Sequence, residues 1–178
     1  MEIQEDNLFP IKVFTIKTNI DTQPLHSVVR ELKNSMHFHY GKDAGGWQGG
    51  ENLFNLTEFS EFETTLTNSI TQIFNKEFTI LDMWGSIYNK GDYNKIHNHP
   101  ALNPMYYDST IWSGVFYIKT NTEGSYLTIH NHQNVTDTYD YDPNDGDIIL
   151  FNSHTYHSVS PHNSDTDRIC IAFNFKLI

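Results

Sequence analysis

Residues 168–177 alternate strictly between apolar side chains and polar or small ones, and this run constrains the fold more than any other part of the chain. Since successive side chains of a β-strand point to opposite faces, the run predicts a strand with two different faces. The apolar face carries Ile169, Ile171, Phe173, Phe175 and Leu177. The other face carries Arg168, Cys170, Ala172, Asn174 and Lys176. If helices cover the apolar face, Arg168 points toward a second sheet, where a buried guanidinium needs an anionic partner.

Further short runs of β-branched and aromatic residues, separated by turn residues, begin near residue 78. The predicted strands are Phe78–Leu81, Met83–Tyr88, Ile111–Lys119, Ser125–His130, Asp147–Phe151 and Arg168–Leu177. Strands with this spacing indicate an antiparallel sandwich or barrel. We therefore expect the second half of the chain to be mainly β.

Two amphipathic helices are predicted before residue 78. In the first, Thr22 is the candidate cap and Pro24 lies in the first turn. Its apolar stripe consists of Leu25, Val28, Val29, Leu32 and Met36. The second helix begins near Ser60, which forms a capping-box pair with Glu63. A chain of 178 residues fits one domain, so we expect residues 1–78 to be mostly helical support and residues 79–178 to form the β-core with the site.

The charge balance argues against nucleic-acid and membrane partners. Asp and Glu number 22 against 11 Lys and Arg, which gives a net charge of −11 and repulsion from phosphate backbones and anionic headgroups. Cys170 is the single cysteine, so an internal disulfide is excluded and a reducing compartment suits the chain. The first residues lack the pattern of a secretory signal, and we expect a cytoplasmic protein. The composition leaves the oligomeric state open.

Histidine pairs with one residue between them are the candidate metal ligands. They are His37/His39, His97/His99 and His130/His132. The first pair stands at the end of the predicted helix and is expected at the surface. The third pair ends a strand at a polar turn and is expected to be solvated, although a role in substrate binding stays open.

The second pair has a richer sequence context. On a strand, His97 and His99 project from the same face, and they follow a turn at Gly91. His157 follows a later apolar strand, and Arg168 lies eleven residues beyond it. Three imidazoles with open coordination positions, together with an arginine that can receive a carboxylate, form a constellation typical of non-haem iron sites.

From about residue 47 to residue 175 the chain resembles the 2-oxoglutarate/Fe(II)-dependent oxygenases with a double-stranded β-helix core. The motifs that carry this resemblance are Gly91-x5-His97-x-His99-Pro100, Trp112–Tyr117, Gly146–Phe151, His157-Ser158-Val159 and Arg168–Phe175. The resemblance implies a jelly-roll, cupin-like core in which the two N-terminal helices pack on one sheet. It also implies an enzyme that uses Fe(II), 2-oxoglutarate and O2.

The resemblance implies a role for each site residue. His97, His99 and His157 would hold the iron, and Arg168 would complete the catalytic set by pairing with the far carboxylate of 2-oxoglutarate. Tyr88 and Cys170 are the further cosubstrate-binding candidates. The implied reaction hydroxylates a small-molecule or peptide substrate, whose identity the sequence does not indicate, and releases succinate and CO2.

Two positions depart from the broader superfamily. His99 stands where an acidic ligand is usual, so three neutral imidazoles leave Fe(II) its full charge of +2 and should hold an incoming dianion more strongly. Cys170 stands where serine commonly follows the arginine by two positions. Because a thiol is a poorer hydrogen-bond donor than a hydroxyl, weaker cosubstrate binding is expected.

Two other readings remain open at this point. A cupin-type dioxygenase with three histidines fits the His97/His99 motif but has no need of Arg168. A non-enzymatic acidic β-sandwich could bind a ligand through its many aromatic residues, which make up 14% of the chain. The polar and aromatic segment 99–111 is the candidate lid or substrate loop.

Overall fold

The computed structural model describes residues 2–8, 11–35, 45–50, 53–99, 108–120 and 126–178. The α-helices are α1 (Gln23–Ser35) and α2 (Ser60–Phe74), and single 3-10 turns span Leu53–Asn55 and Thr57–Phe59. The strands are β1 (Glu2–Leu8), β2 (Ile11–Lys17), β3 (Trp47–Gly49), β4 (Phe78–Tyr88), β5 (Asn94–His97), β6 (Ile111–Lys119), β7 (Leu127–His130), β8 (Thr138–Tyr141), β9 (Ile148–Asn152), β10 (His157–Val159) and β11 (Arg168–Leu177).

Within the described residues, the strands form two antiparallel sheets. The larger sheet has the order β1-β2-β9-β6-β11-β4-β3, and the smaller one has the order β5-β10-β7-β8. The two sheets enclose a cavity, which is the layout of a double-stranded β-helix. The predicted fold class, mainly β with flanking helices, is therefore confirmed.

Strand β11 lies in the middle of the larger sheet, between β4 and β6. Its apolar face joins the cluster that contains both helices, while Cys170 on the other face belongs to a second cluster between the sheets. On α2, Phe62 is fully buried and stacks on Phe116 of β6 with ring centroids 4.5 Å apart. The predicted packing of the two helices on one sheet is thus confirmed, and the Arg168 face is left to line the interior.

Close packing under α2 explains a glycine in β6. A Cβ atom added at Gly114 would overlap the ring of Phe173 and come within 2.8 Å of Leu150 Cδ2. A larger residue there would force the neighbouring side chains to move.

The N-terminal part of the chain contains more strand than the sequence analysis predicts. The hairpin of β1 and β2 pairs through β2 with β9 and so extends the larger sheet. Val13 and Phe14 lie in different apolar clusters, because β2 is covered on one face by the helices and on the other by the smaller sheet. A strand buried on both faces lacks the polar alternation by which half-buried strands are recognised.

Two local expectations need correction. The two runs predicted as separate strands before Tyr88 form one strand, β4, whose pairing with β11 shifts register between Ile80 and Asp82. Ser60 is not the cap of α2: the helix continues from the preceding 3-10 turn, and Phe59 occupies the cap position without a side-chain hydrogen bond. Met36 of the predicted first stripe lies outside the described residues.

In the part of the chain that the structure describes, neither helix has the length and apolar character needed to cross a membrane.

Candidate active site

A cavity of about 230 Å³ lies between the two sheets. His97 and His99 stand on its part-exposed side, whereas Arg168, with 1% of its surface exposed, lies at its buried end. None of the described residues that line the cavity is an aspartate or glutamate. The cavity therefore offers imidazoles at one end and a fixed positive charge at the other.

Strand pairing brings the three histidines together. His97 on β5 and His157 on β10 are directly opposed in the smaller sheet, and their ring centroids are 4.2 Å apart. The ring of His99 lies 5.2 Å from that of His97 and 5.0 Å from that of His157. One nitrogen from each ring lies within 4.8 Å of the others, and among the described residues this is the one group with the spacing of metal ligands.

Hydrogen bonds to backbone carbonyls fix the tautomers of two of these rings. His97 Nδ1 lies 2.8 Å from the carbonyl oxygen of Lys95, and His157 Nδ1 lies 2.9 Å from that of Thr155. Because a carbonyl oxygen only accepts, each Nδ1 carries the proton and donates it. The Nε2 lone pair of each ring is thereby left for a metal ion.

The third ring is held by side chains. His99 Nδ1 lies 2.9 Å from Asn174 Oδ1 and 3.1 Å from Ser113 Oγ. Ser113 Oγ donates to the same Asn174 oxygen at 2.6 Å, and Asn174 Nδ2 donates to Asp82 Oδ1 at 2.6 Å. The alternation along β11 predicts that Asn174 lies on the same face as Arg168, but no feature of the sequence indicates its contact with His99.

Burial lowers the pKa of the His157 and His99 imidazoles. The loss of solvent lowers the pKa of His157 well below its usual 6.5, and the neighbouring His97 and His99 rings lower it further. The pKa of His99 is also lowered, mainly by burial, although its hydrogen bond to Asn174 opposes the shift. Both rings are therefore neutral at pH 7, which is the state that ligates a metal.

Aromatic rings surround the guanidinium at the buried end of the cavity. The Cζ atom of Arg168 lies 4.8 Å from the ring centre of Tyr88 and 5.9 Å from that of Tyr117. Burial raises the pKa of Tyr88 to about 12, so its hydroxyl is protonated at neutral pH. Tyr88 Oη accepts hydrogen bonds from Asn94 at 2.8 Å and from Gln48 at 3.4 Å, which leaves its own proton to be donated.

A serine that the sequence analysis missed lies next to these groups. Ser86 on β4 is opposite Cys170 on β11, is 1% exposed and lines the cavity. Its hydroxyl lies close enough to Tyr88 and Cys170 to lower the pKa of both groups, against the larger effect of burial. The pKa of the Cys170 thiol is raised by burial, so the thiol stays protonated and Ser86 is the stronger donor of the pair.

Residues 82–174, which are 93 of the 178 residues, match the family model described as "Putative 2OG-Fe(II) oxygenase", where 2OG is 2-oxoglutarate. The chain belongs to this oxygenase family. Comparison with curated protein sequences finds no match.

Three solved structures illustrate the likeness in fold. A prolyl-4-hydroxylase from Pseudomonas putida has a TM-score of 0.69 and 15% identity over 92% of this chain and 91% of its own. HygX from Streptomyces hygroscopicus, solved with nickel and 2-oxoglutarate, has a TM-score of 0.65 and 14% identity over 92% and 82%. The epimerase SnoN from nogalamycin biosynthesis has a TM-score of 0.74 and 10% identity over 92% and 76%. At these identities the likeness shows the fold alone.

The predicted cofactors are confirmed at the level of the 2-oxoglutarate/Fe(II) oxygenase family, whose members use Fe(II), 2-oxoglutarate and O2. The structure gathers all the site residues named from the sequence in one cavity: His97, His99, His157, Arg168, Tyr88 and Cys170. Neutral imidazoles of fixed tautomer suit a divalent transition metal, so the residues present fit the family's iron.

The His130/His132 pair lies outside the cavity. His130 is not solvated as expected but buried, with its ring between the carbonyl oxygen of Val135 and Ser158 Oγ, each at 2.8 Å. Its Nδ1 thus holds the turn at Val135, its Nε2 contacts strand β10, and His132 packs against Tyr156. His37 and His39 lie outside the described residues, as does most of the candidate lid, residues 100–107.

Proposed function

We propose that this chain is a hydroxylase in which His97, His99 and His157 bind Fe(II) and Arg168 binds the far carboxylate of 2-oxoglutarate. One observation carries the proposal: three imidazole nitrogens lie within 4.8 Å of one another in a cavity that also holds a buried guanidinium. The chemistry supplied by bound iron, 2-oxoglutarate and O2 is oxidation of a substrate C–H bond, coupled to decarboxylation of 2-oxoglutarate to succinate and CO2.

The residues at the buried end determine how the cosubstrate is held. The guanidinium of Arg168 is a planar fork of donors that matches the two oxygens of a carboxylate. Tyr88 and Ser86 present hydroxyl donors beside it, and Cys170 leaves room for the carboxylate because its side chain is small. The described lining residues of the cavity include no carboxylate, so a dianion would be attracted to the guanidinium at one end and to a bound metal at the other.

The three-histidine ligand set strengthens this attraction. Replacement of an acidic ligand by His99 leaves the metal with a charge of +2 rather than +1. The keto-acid end of 2-oxoglutarate would therefore meet a stronger charge at a metal held by these three imidazoles, which would offset the weaker donor at Cys170.

Family membership supports a 2-oxoglutarate-dependent oxygenase over the two alternative functions that the sequence leaves open. A cupin-type dioxygenase that uses no cosubstrate has no role for Arg168 and its ring of hydroxyl donors. A binding module without catalysis has no role for three imidazoles of fixed tautomer. The substrate is proposed to be a small molecule or a peptide that reaches the metal from the part-exposed side of the cavity.

Anaerobic titration tests the proposal without knowledge of the substrate. The Fe(II)-loaded protein should develop a weak visible charge-transfer band when 2-oxoglutarate is added, because chelation of the metal by the keto acid precedes turnover. His157→Ala should abolish the band, whereas His132→Ala, which removes an exposed imidazole outside the cavity, should leave it intact. Absence of the band in the iron-loaded wild-type protein would refute the proposed function.

A further inference from the structure

We infer that Asp82, through Asn174, sets the tautomer of His99 and so makes this imidazole competent to bind a metal. The inference rests on the metal site proposed above and concerns residues that make no contact with the metal themselves. It assigns Asp82 and Asn174 as positioning residues.

The first step concerns the difference between His99 and the other two ligands. His97 and His157 donate Nδ1–H to backbone carbonyls, which have one possible hydrogen-bonding role. His99 instead faces the side-chain amide of Asn174. An amide has an accepting end and a donating end, and rotation by 180° about its terminal bond exchanges them. The tautomer of His99 thus depends on the orientation of Asn174.

The second step is the orientation of that amide. The Asp82 carboxylate, 2.6 Å from Asn174, accepts hydrogen bonds and donates none. Asn174 must therefore turn its NH2 group toward Asp82, which directs Oδ1 toward His99. Ser113 Oγ, at 2.6 Å, donates to the same oxygen and favours the same orientation. His99 must then donate from Nδ1, and its Nε2 carries the lone pair.

Strand pairing aligns this chain of contacts across the larger sheet. Asp82 on β4 and Asn174 on β11 are paired directly across the larger sheet, and Ser113 on β6 is the partner of Asn174 on the other side. Three adjacent strands therefore present their side chains in one row beneath His99. Asn174 itself is 7% exposed, so solvent competes little for its amide.

Measurement of the imidazole nitrogen signals by NMR tests the inference in metal-free protein at pH 7.5. In the wild type, His99 should carry its proton on Nδ1, as should His97 and His157. In Asp82→Asn, the new amide can donate as well as accept, so Asn174 is free to rotate and His99 should populate the Nε2–H tautomer. His97 and His157 should keep their tautomers, which shows that the fold is intact.

Titration with Ni(II) gives a second readout. Asp82→Asn should lower Ni(II) affinity by about 10-fold, the lower end of the range for groups that orient a metal ligand. Asp165→Asn is the matched control, since it removes an equal charge from an exposed carboxylate paired with Lys90 outside the cavity, and it should leave the affinity unchanged.

The outcomes separate this inference from the proposed function. A wild-type His99 protonated on Nε2 would overturn the inference, and this measurement requires no variant. Unchanged His99 signals and unchanged Ni(II) affinity in Asp82→Asn would also overturn it. If the wild type binds neither Fe(II) nor Ni(II) while His99 shows the expected tautomer and the expected response, the proposed metal site fails but the control of the tautomer stands.

Discussion

Replacement of Arg168 by alanine is expected to weaken 2-oxoglutarate binding strongly while the metal site is retained. Arg168 is buried at the far end of the cavity, and Tyr88 and Tyr117 pack against its guanidinium. The three imidazoles are held by groups on other residues, so the substitution leaves their orientation unchanged. Loss of affinity should therefore be specific to the cosubstrate.

The magnitude follows from the type of hydrogen bond that is removed. A hydrogen bond to a charged group contributes about 1.5–3 kcal/mol, which corresponds to roughly 10–150-fold in affinity. The upper half of this range is expected, because Arg168 is 1% exposed and its bonds to a carboxylate form away from solvent. Arg168→Lys keeps the charge but loses the planar fork, so its affinity should lie between those of the wild type and Arg168→Ala.

Calorimetric titration of 2-oxoglutarate into the Ni(II)-loaded protein measures this effect without turnover. Arg30→Ala is the matched control, because Arg30 lies on α1 and pairs with Asp167 outside the cavity. Equal affinities for the wild type and Arg168→Ala would refute the assignment of Arg168. A loss of similar size in Arg30→Ala would show that the effect is one of net charge and not of the cavity.

Three further predictions concern pH, the serine and cysteine pair, and packing. Burial lowers the pKa of His157 in the folded protein, so the unfolded chain takes up a proton on this imidazole at a higher pH than the folded one. The free energy of unfolding of the metal-free protein should therefore fall as the pH drops below about 6.5. Thermal melting in EDTA should show that the melting temperature falls less between pH 7.5 and pH 5.5 in His157→Gln than in the wild type. An equal fall in both proteins would contradict this explanation. Ser86→Ala should weaken 2-oxoglutarate binding by roughly 2–10-fold, and adding Cys170→Ser to that variant should restore the affinity. If calorimetry shows no change in either variant, neither residue binds the cosubstrate. Gly114→Ala should destabilise the fold by about 1–3 kcal/mol through overlap with Phe173, and an unchanged urea midpoint would contradict the packing seen here.

The local order of apolar and polar residues is enough to predict several features of this protein without any tertiary contact. The alternation along β11 fixes which of its side chains face the helices and which face the cavity, because the pleat of a strand leaves no other choice. The spacing of His97 and His99, together with the turn at Gly91, made this pair the stronger candidate. The resemblance of longer motifs then connected the pair with His157 and Arg168, far along the chain.

Other features required the tertiary structure because they depend on neighbours distant in sequence. The polar turn after His130 predicts a solvated imidazole, yet the ring is buried and its Nε2 contacts Ser158 on the adjacent strand. Strand β2 escaped prediction because its burial on both faces leaves no alternation to detect. In each case the side chain's environment is set by another strand.

The same reason explains why the support of the metal site could not be derived from the sequence. The sequence places Asn174 on the cavity face of β11, but it does not give the registers that align Asp82 and Ser113 on either side of it. A shift of one residue in either pairing would turn the partner side chain to the opposite face of the sheet. Residue types and their local spacing thus determined which groups could bind a metal, whereas strand register decided which hydrogen bonds orient them.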